Sequence, residues 1–136
     1  IRAMLREVTE IESIGDSCYN LARTINHKYR GNEDFTEKQY SHIHQMFQLT
    51  DDALNQMVSL VEDEGHQVDV NKSFNLENEI NNYRSQLKNQ NVLDVNNKEY
   101  DYQMGVHYMD LIGECEKLGD YIVNVVEART DMKEKK

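Results

Sequence analysis

The sequence predicts an all-α fold, an antiparallel four-helix bundle, from three observations: it has no proline, its apolar residues recur in alternating steps of three and four, and short polar breaks separate those stretches. At 136 residues the chain has the size of one domain with one core. Hydrophobic residues make up 38% and charged residues 29%, a balance that suits amphipathic helices with solvated outer faces.

The first helix is marked by Met4, Val8, Ile11, Gly15, Cys18, Ala22, Ile25 and Tyr29, which fall on one face, and Gly31 and Asn32 stop it. Its apolar seam is already running at Met4 with no capping residue before it, so residues 1–136 are expected to be a single helical domain cut from a larger protein. A cap at Asp34, with Glu37 three residues later, opens a second helix whose inward positions are Tyr40, Ile43, Phe47, Thr50, Leu54, Met57 and Val61, and Gly65 ends it. A third helix is expected from about Ser73 to Asn89, with Phe74, Leu76, Ile80, Tyr83 and Leu87 inward, followed by a polar break from Asp94 to Lys98. The fourth begins near Glu99. It turns Tyr108, Ile112, Cys115, Gly119, Ile122 and Val126 inward, flanked by Leu111, Leu118 and Val125, and frays into the charged tail from Asp131 to Lys136.

Charge narrows the partners. A formal net charge of -10 repels phosphate backbones and anionic headgroups, which argues against nucleic acid and against phosphate binding without a divalent cation. No apolar run approaches the ~20 residues of a membrane span, and Ile1 to Arg6 lack a signal-peptide core. Cys18 and Cys115 both fall on apolar stripes and read as buried thiols in a cytosolic protein.

One helix is repeated. Glu12-Ser13-Ile14-Gly15-Asp16 with Asn20 recurs as Glu116-Lys117-Leu118-Gly119-Asp120 with Asn124, and the flanking apolar positions align at the same offset, Val8 with Ile112 and Cys18 with Ile122. Glu and Asp four apart repel on a helix, and a mid-helix glycine costs about 1 kcal/mol relative to alanine. If the two helices cross at Gly15 and Gly119, the carboxylates Glu12, Asp16, Glu116 and Asp120 converge, and an all-oxygen cluster suits a divalent or ferric metal ion. The ordinary alternative is a solvated acidic face.

Enzymatic readings find no support. The residues three before each histidine are Thr24, Gln39, Ser41, Asp63 and Met104, so the Glu-x-x-His of a di-iron bundle is absent. His42 or His44 could serve phosphotransfer by position, but Gln45-Met46-Phe47 follows instead of the Lys-Gly such domains favour. Nucleophile elbows, phosphate-binding glycine loops and zinc-protease motifs are also missing, which leaves a regulatory domain or a structural dimerisation module with eight tyrosines in its core and interface.

Asn75-Leu76-Glu77-Asn78-Glu79-Ile80-Asn81, Tyr108-Met109-Asp110-Leu111-Ile112 and Glu116 through Asn124 resemble the closing repeat of PhoU-like domains, above all those that follow the membrane part of bacterial sodium-dependent phosphate cotransporters. The resemblance implies two three-helix repeats, of which helix one would be the last helix of the first and helices two to four the whole second. It further implies a domain at the cytoplasmic face of the inner membrane that modulates phosphate uptake, with the transporter domain of the same chain as partner, homo-oligomerisation, and metal ions on the motif helices. A free-standing phosphate-signalling regulator is the alternative within the family. Where the family usually carries Arg, this chain has Ser13 and Lys117, so the resemblance is weaker at Glu12 and Asp16 than at Glu116 and Asp120.

Overall fold

The computed structural model describes residues 1–29, 34–62 and 70–134. They form α1 (Arg2–Tyr29), α2 (Glu37–Glu62), α3 (Val70–Asn96) and α4 (Tyr102–Glu134), with no strand among them. Gly31, Asn32 and Gly65, expected to end the first two helices, lie outside the described residues, as do the side chain of Tyr29 and the end of the charged tail. Among the described residues no helix is long and apolar enough to cross a membrane.

Local chemistry sets the helix ends. At α2 the Thr36 Oγ1 accepts from the Gln39 N–H (3.1 Å) while Gln39 Oε1 accepts from the Thr36 N–H (3.0 Å), a reciprocal cap two residues beyond the expected Asp34 and Glu37. Asp34 instead accepts from the Phe35 N–H and the Tyr40 hydroxyl. Helix α3 is longer than expected at both ends. It runs through the polar stretch because Asp94 is buried there, accepting from Gln90 Nε2 at 2.9 Å and facing Lys38 Nζ at 3.5 Å. It then closes with the Glu99 N–H on the Asp94 carbonyl and the Lys98 N–H on the Val95 carbonyl, Lys98 adopting a left-handed φ of 60°. Asp101 Oδ1 caps α4 by accepting from the Met104 N–H at 2.8 Å, so α4 starts three residues after Glu99.

Helices α2, α3 and α4 form an up-down-up bundle. His42 meets Tyr108 and Arg84 meets Glu116, which sets α2 parallel to α4 and α3 antiparallel to it. Helix α4 is central: Tyr108, Leu111, Ile112, Cys115, Leu118, Gly119, Ile122, Val125 and Val126 are all buried, as the sequence led us to expect. On α2 the deepest positions are Met46, Ala53 and Leu60, with Ile43, Thr50 and Met57 beside them; Phe47, Leu54 and Val61 are half-buried and Tyr40 is exposed. On α3, Ile80 and Leu87 are buried while Phe74, Leu76 and Tyr83 are partly covered.

Helix α1 lies outside this trio and, among the described residues, packs on α4 alone. Its covered face carries Ala3, Glu7, Ile14 and Ser17, with Glu10, Leu21 and Thr24 half-buried. The face expected to be inward is turned outward: Met4, Val8, Ile11, Gly15, Cys18, Ala22 and Ile25 are exposed. The reason lies in α4, whose most apolar sides are taken by α2 and α3, leaving a mixed face that matches the polar and small residues of α1. Cys18 is therefore a surface thiol, contrary to expectation, whereas Cys115 is buried and burial pushes its thiol up to about 12.

Candidate functional site

The contact between the two repeated helices is antiparallel and largely polar. Arg129 Nη2 donates to Glu7 Oε1 at 3.0 Å, Asn124 Nδ2 donates to Glu10 Oε2 at 3.2 Å, and Ser17 Oγ lies 3.0 Å from Glu114 Oε2. At the exposed end Arg6 pairs with Asp131 at 2.7 Å. The covered residues Glu7, Glu10, Ile14, Ser17, Leu21 and Thr24 correspond in the repeat to Leu111, Glu114, Leu118, Tyr121, Val125 and Ala128 on α4. Equivalent faces therefore meet, with an approximate two-fold near the buried pair Ile14 and Leu118.

That arrangement separates the four motif carboxylates. Glu12 and Asp16 are exposed on α1. Glu116 is half-buried toward α3, where Arg84 Nε approaches its Oε2 at 3.3 Å. Asp120, exposed on the same helix, lies beside Glu77 of α3 and helps to raise its pKa. The glycines do not bring α1 and α4 together either. A Cβ at Gly15 would meet nothing within 4 Å, and one at Gly119 would meet Ile80 Cδ1 of α3 at 3.3 Å. Both glycines sit on stripes turned away from the α1–α4 contact, so the expected crossing at Gly15 and Gly119 is not formed. Among the described residues no group of three or more His, Cys, Asp or Glu side chains is placed to hold a metal ion. Among the described residues the four carboxylates thus stand apart, and the motif of α4 places Asp120 beside Glu77 of α3.

In that pair Glu77 is held above the usual carboxylate range, first by burial, then by the hydrogen bond and charge of Asp120 and the charge of Glu127, with an Asn81 hydrogen bond opposing. Periodicity did not single out Glu77 or Arg84. Their seven-residue spacing puts both on the face of α3 that meets the motif of α4, a signal that becomes readable only once that face is known.

A second polar cluster joins the three bundle helices. His42 Nδ1 lies 3.0 Å from Tyr108 Oη, and the imidazole meets the Tyr83 ring edge-on at 6.2 Å. Burial, and then Lys38, lowers the His42 pKa, opposed by Asp94. The His42 ring is half-buried between the helices, whereas His44 is exposed on α2.

Comparison with protein families matches residues 43–128 to the family described as "PhoU domain", a stretch that begins inside α2 and ends in the last third of α4. Comparisons with curated proteins and with solved structures give no match.

Proposed function

The chain belongs to the PhoU domain family, and from that premise we propose that it is the cytoplasmic regulatory domain of a sodium-dependent phosphate cotransporter, modulating phosphate uptake. The family match over α2, α3 and α4 supports the phosphate-related regulatory role. The segments Asn75 to Asn81 and Glu116 to Asn124, which resemble the transporter-linked variety, lie within it. With ten net negative charges the domain acts on uptake through contact with the transporter, not by holding free phosphate. A divalent cation enters at Glu77 and Asp120, since a magnesium-type ion is satisfied by one or two carboxylates and water.

Removing the codons for residues 1–136 from their gene and measuring radiolabelled phosphate uptake, with sodium and with choline as the cation, tests this. Sodium-dependent uptake should rise in phosphate-replete cells. Unaltered uptake, or uptake indifferent to sodium in both strains, sinks the transporter reading.

A further inference from the structure

The start of α2 lies against α3 and α4 through Phe35, Gln39 and Ile43, all buried, with the Phe35 ring 6.3 Å from that of Tyr108. The polar part of this attachment is slight. Gln39 Nε2 is buried with no hydrogen-bond partner among the described residues, and Lys38 Nζ reaches Asp94 at 3.5 Å. That leaves His42 Nδ1, 3.0 Å from the hydroxyl of Tyr108, a residue only 2% exposed. One proton sets the direction of this bond. Tyr108 has no other hydrogen-bond partner among the described residues, so its O–H is satisfied by donating to Nδ1 of a neutral imidazole that carries its own proton on Nε2. Burial raises the Tyr108 pKa, and the phenol keeps its proton. A proton added to the ring turns Nδ1 into a donor. The bond then reverses, Tyr108 Oη accepts, and the phenolic proton is left in the interior without an acceptor.

The groups around the ring do not absorb the added charge. Lys38, one turn earlier on α2, repels it. Asp94 of α3 attracts it, but its Oδ1 already accepts from Gln90 Nε2 and its Oδ2 faces Lys38. Tyr83 of α3 meets the imidazole edge-on at 6.2 Å. We infer that His42 and Tyr108 form a proton-operated latch: a proton taken up at His42 strands the Tyr108 hydroxyl and frees the segment from Phe35 to Ile43, while α3 and α4 stay packed on each other. The α3–α4 turn is held independently of the latch. The Tyr100 hydroxyl donates to Asn91 Oδ1 at 2.6 Å, and the helices approach so closely that a Cβ at Gly105 would meet Val95 Cγ2 at 2.9 Å. Burial favours the neutral ring, so the latch is closed at neutral pH and opens in mild acid. This regulation belongs to the bundle itself and does not depend on the transporter reading.

Hydrogen exchange of the whole gene product at about pH 7.5 and about pH 5, corrected for the pH dependence of chemical exchange and read by mass spectrometry, tests the latch. Protection of the peptide spanning residues 35–43 should fall about tenfold or more in acid. At both pH values it should lie below the protection of the peptide spanning residues 111–126. His42→Gln, which accepts from Tyr108 at either pH, should abolish the fall. Tyr108→Phe, which has no hydroxyl to strand, should reduce it. Unchanged protection in acid, or a fall that survives His42→Gln, overturns the latch. Equal protection of the two peptides overturns it as well, because the bundle would then open as one unit. So does an undiminished fall in Tyr108→Phe, which would trace to charge alone.

Discussion

Glu7 and Arg129 form an ion pair across the α1–α4 contact, at 3.0 Å, with the Glu7 side chain only 8% exposed. The second carboxylate oxygen of Glu7 finds no hydrogen-bond partner among the described residues. Removing Arg129 therefore strands a buried charge. Arg129→Met should destabilise by about 2–3 kcal/mol, whereas the double change Glu7→Leu with Arg129→Met should be close to neutral, because apolar side chains of similar size need no mutual desolvation. Denaturant melts of the four proteins in a double-mutant cycle check this. Equal losses in the single and double variants would show that the pair does not hold α1 in place.

His42 makes the bundle sensitive to mild acid. Its folded pKa lies below the unfolded value near 6.5, chiefly through burial, so the unfolded chain takes up the proton more readily. The contribution is fully present above that value and is lost as pH falls through the lowered folded pKa. Lys38, Asp94, Tyr83 and Tyr108 face the ring and set how far the window extends. The melting temperature should fall between about pH 7 and pH 5, and His42→Gln, which can still accept from the Tyr108 hydroxyl, should flatten that fall. An identical pH slope in both proteins would place the sensitivity elsewhere.

How legible these features were depended on how completely each helix is covered. On α4 neighbours cover both flanks, so the apolar stripe of Tyr108, Ile112, Cys115 and Ile122 and its companions Leu111, Leu118 and Val125 could be read directly. On α1 the same rule found the apolar face but not the covered one. Periodicity scores Glu7, Glu10, Ser17 and Thr24 as polar, and only Arg129, Asn124 and Glu114 on the opposite helix satisfy the first three inside a contact. The convergence expected of the motif carboxylates depended on which face of α1 is covered, which periodicity does not show. Asp94 misled for a related reason: an acidic residue near a helix end reads as a break until Gln90 and Lys38 are seen around it.

Lys98 carries a backbone cost in the turn that ends α3. Its φ of 60° lies in the left-handed region, where an L side chain costs roughly 1–2 kcal/mol and glycine costs little. The side chain is exposed. Lys98→Gly should therefore stabilise by about 1 kcal/mol, after the added freedom of the unfolded glycine is deducted. Thermal melts would show a rise in melting temperature, and Lys98→Ala, which relieves no backbone strain, should show none. A loss of stability with glycine would mean that the lysine side chain holds the turn.

Glu77 and Asp120 are the test of the cation reading. The folded pKa of Glu77 is raised by burial and then by Asp120, so what the pair contributes is full below the ordinary carboxylate range and is lost as pH rises through the raised value. When both are ionised the two carboxylates repel, and Asp120→Asn should be neutral or stabilising by up to about 0.5 kcal/mol in metal-free buffer. A divalent ion would offset that repulsion. Manganese at about ten times its dissociation constant should then stabilise the parent by roughly 1.4 kcal/mol, and Asp120→Asn should abolish the response. Glu12→Gln, on the outer face of α1, should retain it, because that carboxylate lies apart from the pair. If the parent melts at the same temperature with and without manganese, the pair is a surface contact and the regulatory role proceeds without metal. If the parent responds and Glu12→Gln abolishes the effect, the ion bridges α1 and α4 in an arrangement different from the one described.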